Sequence, residues 1–361
     1  MKKPLLTLGA LLLASTLARA HDITRLPLGD NRVTNAPRAG WIWPCQAPNP
    51  AGGGAHAEGP WINRAQGTYD FSAKAIVPGS VTWPYQLDIK LENGQRIIST
   101  NSYPSHPTGI YPISRDSIAY RYDRNPNRIN SNNAWITLPA NPMLAAEPSC
   151  APGAIGILLS GVPLFNALDA PGRDAVAHEV QDSCQGHPQI TGIYHYHNVS
   201  TCVDTKREAD GHSSLVGYLL DGFGIYGRHG EGGKLLESKD LDECHGHTHK
   251  ILWDGKPVEM YHYHATWDFP YTAGCLRGRY DRALIKQLMG PPPSGFGKGS
   301  FNKGPPNKGG HPDLAKAAAL LGISERDLRD ALGPPPPDFD NASRRLNISI
   351  DRLRNALESS R

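Results

Sequence analysis

Tyr194-His195-Tyr196-His197 and Tyr261-His262-Tyr263-His264 spell the same tetrad twice. Neutral imidazole is the commonest side-chain ligand of transition metals. In a strand, successive side chains point to opposite faces. Each tetrad would then set its histidines on one face and its tyrosines on the other. Two residues along a strand span roughly 7 Å, near enough for two imidazoles to share an ion. An all-histidine set suits zinc, copper, nickel or iron, with copper or zinc the expected cofactor. Calcium would need a carboxylate-rich loop.

The tetrads sit in a longer repeat. Cys184-Gln185-Gly186-His187 precedes the first, and Cys202 follows it. Cys244-His245-Gly246-His247 precedes the second, and Cys275 follows it. His187 and His247 occupy equivalent places and join the candidate ligands His195, His197, His262 and His264. They rank above His245 and His249 of the run His245-Gly246-His247-Thr248-His249. Asp182, Asp221 and Asp242, with Glu243, are the nearby carboxylates that could orient the imidazoles. Two similar hairpins about a pseudo-twofold axis would bring both tetrads onto one four-coordinate ion. The tyrosines are expected to pack beneath the sheet.

These motifs resemble the bacterial YHYH family. The matching residues are Gly186-His187-Pro188, Gly192 through His197, Asp221 through Gly227, Leu241 through Cys244, Tyr261 through Thr266 and Pro270 through Cys275. Asn101-Ser102-Tyr103-Pro104-Ser105-His106 is similar to a further family segment, from which Ser102 and Ser105 depart. The resemblance runs over roughly residues 70 to 280. It implies membership and no particular chemistry.

Elements must position these residues. The 38 glycines and 32 prolines, with few long helical periodicities, fit a strand-and-loop protein. The expected fold is a mainly β body around the two tetrads, a flexible linker and a small α-helical tail. Residues 1–20 read as a signal peptide, with Lys2 and Lys3, an apolar core and Ala18-Arg19-Ala20. Residues 21–66 read as an extended or looped arm, 67–289 as the β body, 290–312 as a Pro/Gly linker and 313–361 as the tail. Glu92-Asn93-Gly94-Gln95 predicts a hairpin turn, and Ala154 through Leu159 a core strand. Gly217 through Gly227 predicts two short strands about Asp221-Gly222, and Asp281 through Leu288 a short helix. In the tail, Leu321-Gly322-Ile323-Ser324 aligns with Leu346-Asn347-Ile348-Ser349. Each unit reads as helix, turn, N-cap serine, helix, with Ser324 and Asp327 forming a capping box.

The expected location is periplasmic or extracellular, after cleavage near Ala20. No run is long and apolar enough to span a membrane. The formal charge of +3 comes from Lys2, Lys3 and Arg19; the rest of the chain balances, which gives no reason to expect nucleic acid or anionic lipid. Six cysteines in an oxidising compartment read as three disulfides. The repeat favours Cys184–Cys202 and Cys244–Cys275, which leaves Cys45–Cys150. Cleavage after Ala20 would expose His21, whose amine and imidazole could chelate copper as in histidine-brace enzymes. The likeness stops at that residue.

There is no nucleophile elbow, P-loop or dinucleotide fingerprint. His178-Glu179 begins a zinc-protease pattern, but Asp182 stands where the second histidine belongs. The leading expectation is an exported metal-binding protein. The alternatives are a metal-dependent hydrolase or copper oxidase, and a metal-free structural or adhesive protein. The metal is the expected partner, and the tail could dock a protein or surface.

Overall fold

The computed structural model describes residues 22–50, 52–290, 314–332 and 339–360. The segment expected to be a signal peptide, His21 and nearly all of the expected linker lie outside the described residues. The chain forms two compact units, residues 1–293 and 294–361. The first is mainly β, and the second carries the carboxy-terminal helices.

The centre of the first unit is an eight-stranded sheet. Its strands are β1 (Ala154–Leu158), β2 (Pro163–Phe165), β3 (Gly186–Pro188), β4 (Tyr194–Tyr196), β5 (Leu215–Leu219), β6 (Gly224–Tyr226), β7 (Gly246–Trp253) and β8 (Lys256–His264). Across the sheet they run β3-β4-β2-β1-β5-β6-β8-β7. The first half is β1 antiparallel to β2, β2 parallel to β4, and β4 antiparallel to β3. The second half repeats this with β5, β6, β8 and β7.

The halves meet where β1 pairs antiparallel with β5. Ile157 lies opposite Tyr218, Gly156 opposite Leu219, and Leu158 opposite Gly217. This register is symmetric about the Ile157–Tyr218 pair. A twofold axis normal to the sheet therefore relates β1–β4 to β5–β8 and keeps equivalent side chains on one face. The glycines obey it as well. A Cβ on Gly156 would come within 2.5 Å of the Tyr218 carbonyl oxygen, and one on Gly217 within 2.5 Å of the Ile157 carbonyl oxygen. Only glycine lets the halves close this tightly.

The duplication thus begins earlier than the cysteine motifs. Gly156-Ile157-Leu158-Leu159-Ser160-Gly161 corresponds to Gly217-Tyr218-Leu219-Leu220-Asp221-Gly222. Gly161 and Gly222 turn the two hairpins with φ of 81° and 89°, a region that favours glycine. The anticipated core strand and Asp-Gly hairpin are both found.

Smaller sheets surround this one. Leu87–Glu92 and Gln95–Thr100 form the hairpin predicted at Asn93-Gly94, with Ala134–Pro139 alongside. The amino-terminal arm is loop-rich but does not stand apart. Leu26, Ile42 and Trp61 are buried in the main core, because their apolar surface has a body to cover it. Helix α1 (Ala175–His178) is capped by Asp174, whose side chain accepts from the Ala177 amide. Helix α2 (Ala283–Met289) buries Leu284 and Leu288.

Disulfides join Cys45–Cys150, Cys184–Cys202 and Cys244–Cys275. The latter two are equivalent in the duplication. Cys150 and Cys275 also face each other across a two-stranded ribbon, so two of the bridges meet there.

The second unit has α3 (Leu314–Leu321), α4 (Glu325–Leu332), α5 (Phe339–Leu346) and α6 (Ile350–Ser359). Ser324 accepts from the Asp327 amide and donates to its carboxylate. Leu321, Leu328, Leu332, Leu353 and Leu357 close a core of its own.

Candidate metal centres

Strand alternation sorts the tetrads as the sequence implied. His195 and His197 have ring centroids 5.0 Å apart on one face, and so do His262 and His264. The tyrosines take the other face. Hairpin pairing then sets His187 opposite His195, and His247 opposite His262.

The two tetrads do not converge. Between β4 and β8 lie β2, β1, β5 and β6. At about 4.8 Å per strand they stand roughly 24 Å apart across the sheet. The single shared site is therefore incorrect. The axis runs between β1 and β5, so it separates the histidine faces instead of joining them. Two centres result, one per half.

In the first centre His187, His195 and His197 bring one ligand atom each within 4.8 Å of one another, and all three are buried. Glu179, at the C-cap of α1, completes it. Its Oε2 lies 3.2 Å from the Nε2 atoms of both His187 and His197. Yet Glu179 Oε2 and both ring nitrogens of His187 lack an aligned hydrogen-bond partner. These atoms crowd a common point without satisfying each other. The Lys74 amine, buried beneath, donates to the Val176 and Glu179 carbonyls and to Gln181, which holds this segment in place.

In the second centre His212, His247, His249 and His262 form the equivalent cluster. The ring of His264 lies 4.8 Å from His212 and 5.0 Å from both His247 and His262. The Nε2 atoms of His212 and His264 are buried without partners.

Hydrogen bonding assigns the tautomers. His197 Nδ1 lies 2.6 Å from the Asn166 carbonyl oxygen, and His264 Nδ1 lies 2.6 Å from the equivalent Gly227 oxygen. His195 and His262 direct Nδ1 at the Ile193 and Met260 carbonyls. A carbonyl accepts only, so each Nδ1 carries the hydrogen and each Nε2 keeps its lone pair. The Nε2 atoms of His195 and His197 nevertheless stand 3.2 Å apart. Those of His247 and His262 stand 3.1 Å apart. Two nitrogens bound tetrahedrally to zinc at about 2.0 Å would be separated by about 3.3 Å. The donor set fits a cation of that size.

Burial keeps most of these rings neutral. It holds His195 well below its ordinary pKa, helped by the neighbouring His187 and His197. Burial takes His247 down to about 4, and His264 lies well below its usual range. His187 differs. Burial pushes it down, but the Glu179 carboxylate outweighs this and its pKa rises. Burial pushes Glu179 up, but the neighbouring His187 outweighs this and the carboxyl falls well below the carboxylate range. A cation entering the first centre would displace that proton.

The anticipated orienting carboxylates serve the other face. Tyr194 donates to both Asp182 oxygens at 2.8 and 2.9 Å, and Tyr261 donates to Asp242 at 3.0 Å. Tyr263 donates to Asp221 at 2.7 Å. Asp182 and Asp242 also each cap the turn ahead of β3 or β7, accepting from Cys184 and Gly186, or from Cys244 and Gly246. Alternation puts carboxylates within reach of tyrosines, and backbone carbonyls do the orienting. His245 leaves the row, because its φ of 78° turns the ring to Thr266. His106 reaches the tyrosine face, where it bonds Tyr196. Its proximity to Cys184 and Cys202 makes no metal site, since those sulfurs are joined to each other.

The model of the YHYH protein family matches residues 135–234. Over this stretch the chain carries a YHYH domain. The matched YHYH domain spans the first tetrad and the β5–β6 hairpin and ends before the second tetrad. The duplication carries the YHYH architecture on to His264. No curated protein and no solved structure matches the chain.

Glu179 and His212 were not anticipated as ligands. Glu179 sits eight positions before His187 in the His178-Glu179 pair read as a failed protease motif. His212 sits in the loop before β5, where no repeat marks it.

Proposed function

We propose that this is an exported protein that binds transition-metal ions, copper or zinc, at two histidine centres. One observation carries the reading. In the first half the Nε2 atoms of His195 and His197 face each other at 3.2 Å, each with a lone pair because each Nδ1 faces a carbonyl, and in the second half the Nε2 atoms of His212 and His264 are buried without partners. Buried polar atoms are nearly always paired, so such a contact calls for a positive ion. The first centre offers three imidazoles and a carboxylate, and the second offers imidazoles alone. Both sets suit borderline metals over calcium or magnesium. Three disulfides fit an oxidising compartment. Among the described residues no helix is long and apolar enough to cross a membrane.

The test is the metal content of untagged protein purified from the periplasm. Mass spectrometry should find copper or zinc at two ions per chain. Protein that carries none, and takes up neither metal tightly in titration, would contradict the proposal.

A further inference from the structure

The two centres are related by symmetry but differ in access. In the first, Glu179, His187, His195 and His197 are 6%, 5%, 3% and 4% exposed. Every ligand of an ion there would be nearly fully buried. In the second, His262 and His264 are fully buried, while His247 and His249 are only half-buried. His249 lies on the edge strand β7, and its Nε2 pairs at 3.1 Å with Glu231, whose side chain is 60% exposed.

The ligand count differs too. The first centre has four donors, which fills a tetrahedral ion. The second has four convergent imidazoles, His212, His247, His249 and His262, and the ring of a fifth, His264, lies 4.8 Å from His212 and 5.0 Å from His247 and His262. A tetrahedral ion would leave one imidazole over. A surplus donor lets an ion change partners without passing through a bare state, and a partly exposed donor, the His249 side chain at 13%, lets it meet solvent first.

We propose that the second centre is exchangeable and the first is closed. Resting on the metal-binding reading, this assigns Glu231, His249 and His247 as the way in. The exposed carboxylate draws a hydrated divalent cation, and His249 and His247 replace its first waters. The ion then passes to His262, His264 and His212 deeper in the sheet. An ion in the first centre leaves only when the buried sheet edge opens locally, which is rarer than side-chain motion at a partly exposed site. The duplication would thus have produced a retained ion and a traded one.

The experiment loads the full protein with two equivalents of zinc and challenges it with excess EDTA, following release with a zinc chromophore. One ion should leave at least about a hundredfold faster than the other. His195→Ala should remove the slow phase and spare the fast one. His249→Ala should slow both uptake and release of the fast ion without touching the slow one. If that variant fails to fold, the exposed Glu231→Gln tests the same route and should slow uptake. Two ions leaving at one rate would overturn the proposal, as would loss of the fast phase in His195→Ala. Protein that binds no zinc would instead contradict the metal-binding reading itself.

Discussion

The same strands show two faces in opposite condition. On the tyrosine face every tetrad hydroxyl is paired: Tyr194 with Asp182, Tyr196 with Ser160 and His106, Tyr261 with Asp242, and Tyr263 with Asp221. On the histidine face, the Nε2 atoms of His212 and His264 are buried without partners. Both faces come from one alternating motif, so sequence pattern alone does not explain the contrast. The tyrosine face is finished structure. The histidine face has its donors aimed at one another, and in the proposed reading an ion between them would complete it. The difference separates residues that hold the sheet from residues proposed to hold a ligand.

The largest effect should come from breaking the finished face. Asp182 accepts from Tyr194 and from the amides of Gly109, Cys184 and Gly186. Asp182→Ala would strand these buried donors, and we expect a loss of about 3–5 kcal/mol in urea unfolding. His197→Ala in metal-free protein should cost less, because it gives up one strong hydrogen bond, Nδ1 to the Asn166 carbonyl, where Asp182→Ala strands four donors. A larger loss in His197→Ala than in Asp182→Ala would reverse the roles of the two faces.

The next effect is pH. His245 and His262 are held by burial at about 3 and about 2. The unfolded chain binds protons at these positions near 6.5, so it takes up more protons than the native state once the pH falls below that value. Stability from neutral burial is complete above 6.5 and is lost as the pH drops toward the native values. Each ring should cost about 2 kcal/mol between pH 7 and 5. His187 works the other way, since its raised pKa favours the fold when protonated. Metal-free protein should therefore melt at lower temperature at pH 5 than at pH 7. A flat or rising profile would mean that the rings are not buried neutral.

Much of this was legible in the residues, for reasons of range. Period-two alternation assigned the faces, and the hairpin at Asn93-Gly94, the disulfides and the Ser324 cap depend on neighbours or on the repeat itself. What was missed depends on distance in the sequence. The repeat was visible from Cys184 and Cys244 onward, but its weaker opening, Gly156 through Asn166 against Gly217 through Gly227, was not. That opening supplies the four strands between the tetrads, so overlooking it made one site out of two. Glu179 and His212 reach their centres from loops, where no spacing rule predicts a meeting. Asp182, Asp221 and Asp242 were assigned to the wrong face because proximity in sequence says nothing about the pleat.

The central claim is that each half builds its own centre. Isothermal titration of the His195→Ala/His197→Ala double variant with zinc and copper tests it most directly. This account predicts that the variant keeps one ion per chain, at the affinity of the unaltered second centre. Loss of all tight binding would contradict it and restore a single site shared by both tetrads.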